Sequence, residues 1–212
     1  FRMGMMWFIF SEVMFFAAFF GALFYARVFS VEWLSGAGAK LATHQFLWPQ
    51  FLADWPLLKL PQDYGFHAAK DVIPAWGVPA INTAILLTSG ATVTWAHWGL
   101  KANKRGHLIV GLAFTVALGC IFVAMQAEEY HHAYSELGLT LNAGIYGATF
   151  FLLTGFHGFH VTMGTIMLAV ILVRSIKGHF RPEHHFAFEA VAWYWHFVDV
   201  VWIGLFIFVY WI

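Results

Sequence analysis

Residues 107–128 read HLIVGLAFTVALGCIFVAMQAE. Between His107 and Glu128 no side chain is charged, and the run exceeds the roughly 18 residues at which an apolar helix can cross a bilayer. At about 1.5 Å per residue it covers a hydrocarbon core of roughly 30 Å. A helix satisfies its own backbone in lipid, and the run is too long for a barrel strand. Comparable runs lie near 3–29, 77–100, 143–173 and 187–212. The sequence therefore predicts an all-α fold: one integral membrane domain over 1–212, a bundle of five transmembrane helices. The 30–76 connection is long for a compact bundle. It holds Pro49, Pro56, Pro61 and Pro74 with Trp48, Trp55 and Trp76. So many aromatics predict an ordered cap or partner surface with short helical turns.

Composition agrees. The chain is 61% hydrophobic and 10% charged, against about 25% charged in soluble domains. Its mean hydropathy is +0.70. Net charge is zero, so the basic footprint of a nucleic-acid binder is missing. The single cysteine, Cys120, cannot form an internal disulfide and reads as a small packing residue. No cleavable signal peptide stands out, and the chain opens on Phe1, so a natural start upstream is expected.

The connections predict topology. Lys101, Lys104 and Arg105 sit between the second and third segments, and Arg174, Lys177 and Arg181 between the fourth and fifth. The stretch 130–142 has no Lys or Arg and is flanked or occupied by Glu128, Glu129 and Glu136. The positive-inside rule puts the two basic loops inside, and the acidic loop, the 30–76 connection and the C-terminus outside. Arg2 fits; Arg27 is an exception.

Three constellations are candidates for function. Glu12 stands in WFIFSEVMFF (7–16), with Phe8, Phe15 and Phe16 as its helix neighbours. Its own helix offers no basic partner, so one must come from another helix, another chain or a lipid head group. Intramembrane ionisable groups mark functional sites by default; the alternative is a hydrogen-bonded Glu in a helix interface. Next, His157 and His160 share one helix face, while His131–His132 and His184–His185 fall in loops. HxxH occurs once and HxxHH not at all, which argues against a haem or metal centre and for interhelical hydrogen bonding. Last, Glu189, Trp193, His196 and Asp199 form one polar stripe. It reads either as a proton relay or, preferably, as a polar seam between helices or subunits. No nucleophile accompanies it and no Gly-rich phosphate loop occurs, so no catalytic residue is assigned.

The stretches FIFSEVMFF, PAINTAILLTSGATVTWAHW, QAEEY, IYGATFFLLTGFHGFHVTMGT and HHFAFEAVAWYWHFVDVVWIGLFIFVYW, in that order from Met5 to Trp211, resemble cytochrome c oxidase subunit III. The resemblance implies a subunit with no cofactor of its own beyond bound phospholipids. It implies haem and copper in partner subunits. It implies packing against subunit I, with subunit II and others in the complex, in an aa3-type, proton-pumping oxidase of a bacterial cytoplasmic or mitochondrial inner membrane. The subunit would stabilise subunit I, hold lipids in a cleft and support proton uptake. By the same resemblance Glu12 is the carboxylate beside that cleft, and Arg174, Lys177 and His179 in RSIKGHF meet lipid phosphates, or simply set topology. The usual form has seven helices, and this chain resembles the last five. The first two would then lie upstream or on another chain. Within 30–76 only the end, WGVPAINT, resembles the family. A quinol-oxidase subunit III, or an autonomous His-dependent membrane metalloenzyme, is the alternative.

Overall fold

The structure is a computed structural model describing residues 1–61 and 67–211. Its helices are α1 (Arg2–Tyr25), α2 (Val31–Leu34), α3 (Leu41–Leu47), α4 (Val78–Lys101), α5 (Arg105–Ser135), α6 (Gly144–Ile176) and α7 (Phe186–Leu205). The π-helical turns Ala26–Ser30 and Phe206–Trp211 continue α1 and α7. Among the described residues the only β pairing is an isolated bridge, Arg181 to His184. The chain is thus a helical membrane protein, as predicted.

The differences lie at the ends. Helix runs from α1 through the π turn to Leu34, past the expected end at 29. Beyond it, a 3-10 turn (Gly38–Lys40) and α3 supply short helical pieces within the 30–76 connection. Among the described residues four helices are long and apolar enough to cross a membrane by length and composition. The fifth, α4, is shorter at 24 residues but still long enough to cross. It is less apolar because Asn82, Thr83, Thr88, Ser89, Thr92 and Thr94 lie along it. Val93, Ala96, Asn82 and Ser89 are wholly buried, so this helix hides polar groups against its neighbours.

Local signals account for the boundaries. Pro79 in the first turn suits the start of α4, where its missing N–H costs nothing. Asn103 in the left-handed region turns the chain from α4 into α5. Gly178, with φ +77°, lets the chain turn away after α6.

The chain forms two compact units. The first contains Phe1–Val13, Pro74–Glu129 and Phe156–Ile212, and holds the whole of α4 and α7. Its core is α4 packed on α7, with Trp195, Trp202, Phe122 and Leu86 fully buried. The second contains Met14–Ile73 and Tyr130–Gly155. There, His44 Nδ1 and Trp48 Nε1 both reach the Leu34 carbonyl, at 3.1 and 3.0 Å, tying α3 to α2. The Lys70 amide donates to the Leu137 carbonyl, and Trp55 meets Tyr146 edge-on.

Candidate functional site

Glu12 finds its partner inside the first unit. Its Oε2 lies 2.9 Å from His160 Nε2 on α6. His160 Nδ1 lies 2.6 Å from the Phe156 carbonyl. A carbonyl can only accept, so Nδ1 carries a hydrogen. The contact with Glu12 then contains one proton, on nitrogen as an ion pair or on oxygen as a neutral pair. Tyr194 of α7 stacks on the His160 ring at 6.3 Å, and Phe8 of α1 stacks on Tyr194. The Glu12 side chain remains 22% exposed. It opens into a groove of about 360 Å³ walled by Met5, Phe8, Phe159, Met163, Met167 and Val191. A polar pair at the floor of a thioether and aromatic groove can hold a chain-like apolar ligand and still present one acceptor or donor.

The predicted stripe on α7 divides. Glu189 pairs with Arg2 of α1 at 3.0 Å. Trp193 is half-buried. His196 Nδ1 lies 3.3 Å from Asp199 Oδ2, and its Nε2 lies 3.2 Å from Thr94 Oγ1 on α4. Thr94 spends its own hydroxyl hydrogen on the Gly90 carbonyl, so His196 Nε2 must donate to it. One proton is again left between imidazole and carboxyl. Asp199 approaches α4 so closely that a Cβ at Gly90 would lie 2.5 Å from Oδ2. His157 and His160, expected in the same seam, part company. His160 serves Glu12; His157 is wholly buried, reaches the Val198 carbonyl at 3.2 Å and packs against Trp202 and Phe122.

Arg174, Lys177 and His179 are exposed around the C-terminal end of α6. Arg174 lies over the Phe180 ring, 5.1 Å from its centroid, and borders a shallow groove with Ile166, Val170 and Val173. Cys120, expected as a packing residue, is exposed on α5. Among the described residues no three His, Cys, Asp or Glu side chains gather as a metal-binding group.

Against this geometry, the sequence profile described as Cytochrome c oxidase subunit III matches residues 45–212. The chain belongs to the cytochrome c oxidase subunit III family. It is 43% identical over 210 residues to "Cytochrome c oxidase subunit 3" of Sus scrofa, covering 99% of this chain and 69% of that one. The subunit 3 of Marchantia polymorpha is also 43% identical, over 99% and 68%. That of Prototheca wickerhamii is 46% identical over 209 residues, again 99% and 68%. The expected unmatched stretch within 30–76 is thereby corrected: the family match already runs from residue 45.

This family member also uses residues that sequence reading passed over. Trp195 Nε1 donates to Ser89 Oγ, and Trp202 Nε1 to Thr83 Oγ1, each at 2.9 Å. An indole counts as apolar in a hydropathy profile although it carries one donor, and the hydroxyl-rich α4 was the available hint. Arg105, read as a topology charge, donates to the Ile176 carbonyl at the end of α6.

Proposed function

We propose that this chain is the third, non-redox subunit of a multi-subunit, proton-pumping cytochrome c oxidase of the aa3 type. It stabilises catalytic subunit I, contacts subunit II and holds phospholipid. The observation carrying this reading is the Glu12–His160 pair at the floor of an apolar groove in a member of this family. An acyl chain would lie along Met163 and Met167, and Arg174, Lys177 and His179 would meet phosphate at the inner boundary. Support for proton uptake would fall to groups that share a proton, of which Glu12–His160 borders the groove. A non-redox role is supported by three helix histidines that are engaged within the chain: His157 with Val198, His160 with Phe156 and Glu12, His196 with Thr94 and Asp199. Haem and copper are thus assigned to partner subunits. The chain would lie multi-pass in an energy-transducing membrane with its C-terminus outside.

The test is spectroscopic. The tagged chain, isolated in mild detergent, should bring haem absorbance with the complex. That absorbance should leave with subunit I when the complex is dissociated. A stoichiometric haem signal retained on the dissociated chain would overturn the proposal.

A further inference from the structure

Several buried side chains in the first unit present polar atoms that no described protein group answers, Asn82, Gln126 and His157 among them. Asn82 and His157 are 0% exposed and Gln126 is 6% exposed. Asn82 Oδ1 and Nδ2, Gln126 Oε1 and Nε2, and His157 Nδ1 are all buried without a hydrogen-bond partner among the described residues.

The helix register brings them to one depth. Thr92 of α4 meets Thr115 of α5 at 2.8 Å, and a Cβ at Gly111 would touch Ala96, so the two helices run antiparallel in a known register. Ten residues back from Thr92 is Asn82, and eleven on from Thr115 is Gln126. The two amides therefore stand opposite each other to within about one 1.5 Å step. Trp202 is bonded to Thr83, next to Asn82. Its ring lies 4.9 Å from His157 and 4.8 Å from Phe122. Phe122 is one turn before Gln126 on the same face of α5. Four helices thus deliver Asn82, Gln126, His157 and Trp202 to one layer.

The chemistry of the layer selects its ligand. His157 Nε2 faces the Val198 carbonyl and must donate, so neutral His157 leaves Nδ1 as a bare acceptor. Each amide adds two donors and a carbonyl acceptor. A cation would satisfy the acceptors and repel the amide hydrogens; an anion would do the reverse. Only a small molecule that both gives and takes hydrogen bonds suits the whole set. Buried polar groups in native proteins are almost always satisfied, by protein or by ordered water. We propose that this layer is a binding site for a small cluster of ordered water, bridging Asn82, Gln126 and His157 between α4, α5 and α6. The bridging water donates to His157 Nδ1 and accepts from an amide. The site is separate from the groove at Glu12 and does not depend on any role in lipid binding.

The test is a map of the intact, assembled oxidase sharp enough to show ordered solvent. Solvent density within hydrogen-bond distance of at least two of these three side chains is expected. The amides bonded directly to each other or to His157 with no solvent between them, or an ion in the layer, would overturn the proposal. A second measurement uses Gln126→Met, which keeps length and loses polarity. If water is held there, its loss strands His157 Nδ1, and the thermal midpoint of the assembled complex falls. A midpoint that is unchanged or raised means that the layer is dry.

Discussion

At Glu12 the cost of placing a carboxyl among phenylalanines is met by one imidazole 148 positions away in the chain. Gln at this position keeps the shape and can still bond His160. Glu12→Gln is therefore expected to leave assembly of the complex intact on a native gel while changing the amount or kind of phospholipid that co-purifies. Glu12→Ala removes the carboxyl bonded to His160 Nε2, at a cost of about 1–3 kcal/mol, and should lower the recovery of assembled complex. Loss of assembly in Glu12→Gln would instead make the carboxyl a structural partner, without a role towards lipid. Glu12 was legible in sequence as an isolated charge in an apolar run. Its partner was not, because His160 sits in a motif with His157 and the pairing depends on the packing of α1 on α6. The separation of those two histidines, three positions apart yet serving different helices, had no signal in the spacing.

Along the elements, glycine decides how closely helices approach. A Cβ on Gly164 of α6 would lie 2.8 Å from Trp195, the side chain that donates to Ser89 of α4. A Cβ on Gly158, less than two turns earlier, would meet no described atom within 4 Å. Gly164→Ala should push Trp195 off its bond and cost about 1–3 kcal/mol, seen as a lower thermal midpoint of the complex. Gly158→Ala should be neutral or gain up to about 1 kcal/mol from helix propensity. Equal effects from the two would mean that this contact does not set the helix spacing. The helices themselves were readable because apolar length alone marks a span. Their ends were less so: the π turn at Ala26–Ser30 carries helix past the expected boundary, with no proline or glycine to announce a stop until Gly36.

For the whole molecule, membrane residence followed from composition, and the family from motifs in order. The division of polar groups among separate clusters did not follow from either. Hydropathy averages over a helix, whereas the buried amides, indoles and imidazoles act through single atoms. The bundle also distributes its packing unevenly. α1 buries only Phe16 and Leu23. Of its most apolar span, 11% is buried within the chain, against 50% for the last helix. The shielding of its amides from water is thus delegated to whatever surrounds the protein. Stability need not be uniform along a fold, and here the difference is measurable by hydrogen–deuterium exchange. On moving the complex from a lipid nanodisc into delipidating detergent, peptides from α1 should take up deuterium well before those from α7. Simultaneous uptake would mean that other protein, and not the bilayer, keeps this helix dry. In either case α1 is a gauge of its surroundings, reporting how much of the native membrane a purification has left in place.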